Sequence, residues 1–354
     1  MSLFTTFAIT TGVTCLISAG ITRWLITRPA LFASILDHPN ARSLHQQPIP
    51  RTGGIAIFIA ILFGGGAMIA IVPPLTNAQM TRSLVLCLAV LLVGGVSFLD
   101  DWRQVARRYR LLIHCTAALL VYSANLAWDY SWLPGSTGLM PSFIALPLTL
   151  LFIIWMINLY NFMDGMDGFA SSQAIIGFSA LAILGIHAGD WVFTGFSLVI
   201  IAAALGFLTG NFPPARIFLG DLGASLFGLL AAVLILWGAN DGLFSLWIGA
   251  LAFSPFIVDA TWTLLRRAMH REPIWNAHRS HHYQRLVLSG WSHRKTLLAS
   301  YPIIIAAAAT AVAAVSLAPI EQWQLLFGWA GIYSLIHLKV RFVERHHSSS
   351  PNNP

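Results

Sequence analysis

Asn158, Asn161, Asp164 and Asp167 follow one another at three-residue steps in Asn158-Leu-Tyr-Asn161-Phe-Met-Asp164-Gly-Met-Asp167-Gly168. Their amide and carboxylate oxygens suit Mg2+ or Mn2+ rather than zinc, which favours nitrogen and sulfur. The residues just before them, Leu146 to Ile157, are as apolar as a lipid-facing helix. One Asp at the centre of a membrane costs about 2.5–3.5 kcal/mol on insertion scales, so the apolar run must end here. The polar groups then lie in water or on a ligand. Three-residue steps turn an ideal α-helix by about 300° each, which puts Asn158 and Asp167 on opposite sides. For all four to face one ligand the chain has to leave the helix, and Gly165 and Gly168 supply the breaks. A plain polar turn, with Asp167 capping a helix that starts at Phe169, needs only one of the four side chains. The pattern favours a site.

Further clusters surround it in sequence. Phe98-Leu-Asp100-Asp101-Trp102 closes another apolar run, so two adjacent carboxylates sit at a helix C-terminus, the negative end of its dipole. They need a cation nearby: Arg103, Arg107, Arg108 and Arg110 offer one, and a metal ion or a reacting proton would serve as well. In Leu219-Gly-Asp221-Leu-Gly223-Ala-Ser225, Asp221 reads either as an N-cap or as part of an open helix N-terminus that a bulky anion approaches past Gly220 and Gly223. The late stretch His278-Arg279-Ser-His281-His282-Tyr-Gln-Arg285 alternates imidazole with guanidinium, a combination that suits phosphate. Zinc is disfavoured there, because no Cys lies near and the aspartates are elsewhere. Arg294 and Lys295 read as contacts to anionic lipid. The loop from Asp37 to Gly54, stiffened by prolines, ends in Pro50-Arg51-Thr-Gly53-Gly54 and reads as a connector with basic anchors. Asp259 is expected to pack against another helix.

The elements that carry these clusters are membrane spans. With 57% hydrophobic residues, 9% charged and a mean hydropathy of +0.73, a soluble domain is excluded. Eleven apolar runs are long enough to cross a bilayer, roughly 4–27, 53–74, 80–99, 109–127, 141–159, 169–188, 191–209, 222–238, 243–265, 297–318 and 322–341. The expected fold is all-α and polytopic: one transmembrane domain over 1–341, with a short disordered tail over 342–354. Its functional loops are about 37–52, 100–110, 158–169, 210–221 and 266–296. The first run is too long for a removable signal peptide and no A-x-A-like site follows it. Cys15, Cys87 and Cys115 fall inside apolar runs and read as small hydrophobes.

Eleven spans sort the loops into two sets. Setting aside Arg82, one set holds 19 of the 20 Lys and Arg, which makes that side cytoplasmic and the N-terminus periplasmic. Every acidic cluster and the His/Arg loop land on this one face. The basic residues are scattered over short loops, so the charge of +7 reflects topology and not nucleic-acid binding. Metal-assisted phosphoryl chemistry between a cytosolic phosphorylated compound and a lipid phosphate follows.

In this order and on one face, the motifs resemble the polyprenyl-phosphate N-acetylhexosamine-1-phosphate transferase family, from Asp37-x-Pro-Asn40 and Pro50-Arg-x-Gly-Gly54 through to Arg285. The resemblance implies transfer of a sugar 1-phosphate from a UDP-sugar to undecaprenyl phosphate, with release of UMP, in the bacterial cytoplasmic membrane. It implies Mg2+, with Mn2+ the alternative, held by Asn161 and Asp221. Asp100, Asp101, Asp164 and Asp167 become the catalytic carboxylates, the first two near the lipid phosphate. Asn158, Arg51, His278, Arg279, His281 and His282 become substrate-binding. The late loop departs from the His-His-His run of the peptidoglycan enzyme and looks more like the O-antigen initiating branch. Its donors include UDP-GlcNAc and 6-deoxy sugars such as UDP-FucNAc or UDP-QuiNAc, and a MurNAc-pentapeptide donor is the alternative. The expected partners are the UDP-N-acetylhexosamine, undecaprenyl phosphate and membrane lipid, with a homodimer left open. Two rivals remain: a lipid-linked solute transporter, whose site would lie nearer the midplane, and a polyprenyl-diphosphate phosphatase.

Overall fold

The computed structural model describes residues 3–29, 36–37, 49–71, 75–128, 133–136, 140–273 and 278–348. The apolar runs fold as helices because a backbone in hydrocarbon must satisfy its own hydrogen bonds. In chain order these are α1 (Leu3–Thr27), α2 (Gly53–Ile71), α3 (Asn77–Arg103), α4 (Arg107–Ser123), α5 (Ser142–Met163), α6 (Phe169–Ala188) and α7 (Trp191–Asn211). Then follow α8 (Gly220–Asn240), α9 (Leu246–Ala252), α10 (Ser254–Met269), α11 (His282–Leu288), α12 (His293–Ala314) and α13 (Pro319–Ser348). Two short strands, β1 (Leu36–Asp37) and β2 (Ile49–Pro50), pair antiparallel within the first loop. The prolines and polar residues from His38 to Pro48 lie outside the described residues, as do Tyr130, Trp132 and Asn276.

Eight helices among the described residues are long and apolar enough to cross a membrane: α1, α2, α3, α5, α6, α7, α8 and α12. The pair α9–α10 makes nine if counted as one span. The runs at 109–127 and 322–341 are also helical, as α4 and α13, but α4 is shorter than the eight and α13 more polar. The reading of 243–265 as one straight span is corrected, since α9 and α10 meet at 87°. Pro255 sits at the start of α10, where its missing N–H costs nothing and its ring cannot continue α9. The last helix runs on to Ser348, into the stretch read from sequence as a tail.

The core is built around α8, whose whole apolar stretch is buried and which touches α2, α3, α5, α6, α7 and α9. Hydrophobicity alone does not draw helices together in lipid, so close packing of small residues does much of the work. Gly228 is the clearest case: a Cβ there would lie 2.7 Å from the Ile157 Cα on α5, so the two backbones touch. Helices α3 and α8 run antiparallel, pinned at both ends. At one end Arg82 pairs with Asp241, which also accepts from the Trp237 indole at 2.8 Å. At the other, Asp101 meets the start of α8. The 19 residue steps from Arg82 to Asp101 rise about 28 Å, close to the hydrocarbon thickness of about 30 Å.

Candidate active site

The Asp101 end of the bundle gathers the acidic motifs. Asp101 is only 4% exposed, and its two oxygens accept the backbone N–H groups of Asp221 and Leu222, each at 3.0 Å. A carboxylate thus fills the positive end of α8, and the reading of that helix start as an open anion seat is corrected. Asp221 is not an N-cap: Leu219 holds that position without a side-chain bond, and Asp221 follows in the first turn. Gly220 adopts φ +74°, where a Cβ would be strained and would also approach the Asp101 carboxylate.

Arg51 reaches the same place because its segment is stitched to the entry of α8. Phe218 N–H donates to the Pro50 carbonyl at 2.8 Å, Gly53 N–H to Phe218 at 2.9 Å and Gly54 N–H to Leu219 at 2.8 Å. The Arg51 guanidinium then lies 3.3 Å from Asp221 Oδ1 and 4.0 Å from Asp101 Oδ1. Arg110, from the first turn of α4, pairs with Asp100 and reaches Asp221 Oδ2 at 3.3 Å. Asp100 also accepts the Val105 N–H at 2.8 Å. Three carboxylates face two guanidiniums, and Asp164 adds a fourth carboxyl group to the same field.

The central motif stays helical longer than its spacing suggested, through Met163, and unwinds between Asp164 and Gly168. Asn158 turns back on its own helix, donating to the Ile154 carbonyl at 2.7 Å. Asn161 donates through Nδ2 to Ser225 Oγ at 3.1 Å, one turn beyond Asp221 on α8. Its Oδ1 is buried and has no hydrogen-bond partner among the described residues. Asp164 follows as the first non-helical residue and makes no hydrogen bond or ion pair among the described residues. Burial above all, and then the carboxylates of Asp221, Asp101 and Asp167, hold its carboxyl well above the usual range, with Arg51 pulling the other way.

Asp167 is used differently. Its Oδ2 accepts the Ala215 N–H at 3.0 Å and its Oδ1 lies 2.9 Å from His293 Nδ1, so it latches two inner loops together. The helix after it starts at Phe169, as the sequence indicated, but the cap position is Gly168 at φ +69°. The Gly168 N–H goes to Asn211 Oδ1 at 3.1 Å.

The His/Arg loop divides. His281 is buried, stacks between Phe162 and Tyr283 with both centroids at 6.1 Å, and its Nδ1, 3.8 Å from Asp259 Oδ1, has no hydrogen bond among the described residues. The backbone N–H of His282 donates to both oxygens of Asp259, at 2.9 and 3.0 Å, and its ring Nδ1 lies 2.8 Å from Oδ1. Asp259, on α10, therefore meets another helix, as the sequence indicated, at the N-terminus of α11. His278 is pushed down to about 4 by burial, then by His281, Arg267 and Arg266, and is neutral at pH 7. Its Nδ1 faces the Ser280 hydroxyl at 2.8 Å. Arg279 turns away from the imidazoles, into a cavity of about 530 Å3 shared with Arg266, Arg285, Arg345 and Glu344. Tyr283 fastens the loop to the central motif by donating to the Phe162 carbonyl at 3.0 Å. Burial holds that phenol well above its usual range, so it keeps its proton.

The structure thus brings Arg51, Asp100, Asp101 and Asp221 into one cluster, with Asp164 in its field and Asn161 joined through Ser225. It sets Asn158, Asp167 and His282 to internal bonds and turns Arg279 elsewhere. Among the described residues no three His, Cys, Asp or Glu side chains gather as a metal site. Sequence reasoning gave no site role to Arg110, Ser225, Asp259 or His293. Only Arg110 carried a signal, as a cation close in sequence to the Asp100 pair.

The glycosyl transferase family 4 pattern matches residues 83–239, the stretch that holds Asp100, Asp101, Asn161, Asp164 and Asp221. A probable undecaprenyl-phosphate N-acetylglucosaminyl 1-phosphate transferase of Bacillus subtilis is 34% identical over 282 residues, 79% of this chain and 77% of its own. A decaprenyl-phosphate N-acetylglucosaminephosphotransferase of Mycobacterium tuberculosis is 28% identical over 91% of this chain and 88% of its own. A phospho-N-acetylmuramoyl-pentapeptide-transferase of Staphylococcus aureus is 24% identical over 75% of this chain and 84% of its own. The chain belongs to glycosyl transferase family 4, among the polyprenyl-phosphate N-acetylhexosamine-1-phosphate transferases.

Proposed function

We propose that this chain transfers an N-acetylhexosamine 1-phosphate, N-acetylglucosamine 1-phosphate foremost, from a UDP-sugar to undecaprenyl phosphate. An oxygen of the lipid phosphate forms a bond to the phosphorus that carries the sugar, that phosphorus loses its bond to the bridging oxygen of the diphosphate, and UMP leaves with that oxygen. The reaction lies at the cytoplasmic face of the inner membrane and starts a cell-surface polysaccharide such as O-antigen. The names of the Bacillus and Mycobacterium relatives favour N-acetylglucosamine over the 6-deoxy sugars.

The observation that carries this reading is the buried Oδ1 of Asn161, which has no hydrogen-bond partner among the described residues. A buried amide oxygen without a donor costs about 1–3 kcal/mol, so it fits a site that something electropositive completes. Asp221, one helical turn from the Ser225 that holds Asn161, adds a carboxylate with 29% exposure. These donors fit Mg2+, which would neutralise charge on the donor's diphosphate. Asn161 and Asp221 would hold it. Arg51 and Arg110, now on carboxylates, supply guanidiniums that can turn to incoming phosphates. Asp100 positions Arg110 for the acceptor side. An apolar cavity of about 440 Å3 between α5 and α10, lined by Trp128, Leu151, Phe152, Trp155, Leu264 and Leu265, suits an isoprenoid chain.

The test is release of UMP from membranes given labelled undecaprenyl phosphate and a panel of UDP-sugars, with and without chelator. Release with UDP-GlcNAc that stops in excess EDTA and returns with Mg2+ is expected. Asp221→Ala and Asn161→Ala should both lose it while remaining in the membrane. Phosphate release from a polyprenyl diphosphate, independent of any UDP-sugar, would replace this reading with a phosphatase. Full activity in EDTA would remove the metal.

A further inference from the structure

The His/Arg loop hangs on an element outside the stretch matched by the family pattern. Helix α11 is only seven residues long; Asp259 holds its first N–H and Tyr283 and Arg285 are its buried side chains. Two of its residues on one face, His282 and Arg285, are three apart and meet two residues of α13 that are seven apart. His282 Nε2 lies 3.0 Å from His337 Nδ1. The buried Arg285 donates from Nε to Glu344 Oε1 at 2.6 Å, and its Nη2 pairs with Oε2. A two-point fork of this kind fixes orientation as well as distance.

Helix α13 is itself tied to α10, through the Trp262 indole 3.2 Å from His337 Nδ1 and the Tyr333 hydroxyl 2.5 Å from Ser254 Oγ. On its other side α11 presents Tyr283 to the Phe162 carbonyl, two residues before Asp164. Rotating α11 about its axis would move His281 and Tyr283 together against the last turn of α5.

We propose that α13 is a strap that sets the angle of the His278–His282 loop toward the donor, with His337 and Glu344 as positioning residues. The donor half of this statement rests on the UDP-sugar transferase reading above; the strap itself does not. Neither residue touches substrate. They act through His282 and Arg285, and loosening them changes how well the loop is placed without removing any group from the site.

The experiment compares wild type, Glu344→Ala, Glu344→Gln, His337→Ala and the exchange Arg285→Glu with Glu344→Arg, all as full chains in detergent or nanodiscs. Amide exchange over residues 282–288 reads the strap without any need for activity. Glu344→Ala should speed it about five- to tenfold, the loss of one partly exposed bidentate ion pair. The donor KM should rise by a similar factor, the lipid KM should not move, and the melting temperature should fall only by about 1–2 °C, the share of one partly exposed ion pair. Glu344→Gln should fall between, and the exchanged pair should restore both readouts. Unchanged exchange and donor KM in Glu344→Ala would overturn the proposal, as would a lower melting temperature with unaltered kinetics. If wild type released no UMP with any UDP-sugar, the transferase reading would fall and with it the donor half. The exchange data would then still decide the strap.

Discussion

Asp101→Ala separates a helix-holding carboxylate from a reacting one. The substitution removes the acceptor for two backbone N–H groups at the start of α8, both bonded at 3.0 Å to a side chain 4% exposed. Charge-assisted hydrogen bonds contribute about 1.5–3 kcal/mol each. Removing a negative charge beside Asp221 gives back about 1–2 kcal/mol of repulsion. The net loss is about 3 kcal/mol. At about 2.1 cal/mol/K per residue over 354 residues, that lowers the melting temperature by about 4 °C. Asp101→Asn keeps one acceptor oxygen and should lose about half as much. Asp164→Asn is the control: its carboxylate makes no hydrogen bond among the described residues and is crowded by like charge, so melting should hold or rise while turnover falls. The assay pairs thermal unfolding in a mild detergent with UMP release. An Asp101→Ala protein that melts with wild type yet is inert would refute the capping role and return Asp101 to the chemical step.

Arg279 lines a cavity separate from the acidic cluster, so Arg279→Ala should leave the donor KM within about threefold of wild type; a ten- to hundredfold rise would return Arg279 to the donor site, and a rise in lipid KM alone would make the loop an anionic-lipid anchor. Cysteines at Ser280 and Ser136 should be labelled from the cytoplasmic and the outer side respectively, and labelling of both from one side would undo the assignment of the active face. The Arg285 hydrogen bond holds the Glu344 carboxyl below its ordinary range. Its stabilising effect is therefore complete above the ordinary value near 4.5 and fades as pH falls through the lower folded one. Melting curves of wild type and Glu344→Gln should converge as the pH drops below that value; a constant gap would show that the pair does not titrate with folding.

The helices and the meeting of the acidic motifs at one end of the bundle were legible because lipid demands long apolar runs and charged residues interrupt them. The start of α6 at Phe169 was legible from local turn chemistry. The partners were not. Asp101 caps a helix 120 residues away, and Asp100-Asp101 as a pair carries no sign that one holds Arg110 and the other a backbone. Asp259, a lone acid in an apolar run, gave no hint of His282, because the loop that brings His282 has no period from which to read a face. The bend at Phe253 had a signal in Ser254-Pro255, but apolar residues on both sides keep the run looking continuous. The split of the His/Arg loop, imidazoles inward and Arg279 outward, is likewise tertiary.

The backbone contact at Gly228 bears on how the enzyme feels its membrane. A bilayer that thickens or thins imposes mismatch on the helices that face it, and they answer by tilting. Helix α8 faces protein on every side, while α13 turns Leu335, Leu338 and Phe342 outward. With α5 touching α8 at Gly228, the spacing between Asn161 and Asp221 is insulated from that tilt. The loop carried by α11, hung from α13, is not. Changes in lipid chain length should therefore register first in the handling of the donor and last in the pair Asn161–Asp221.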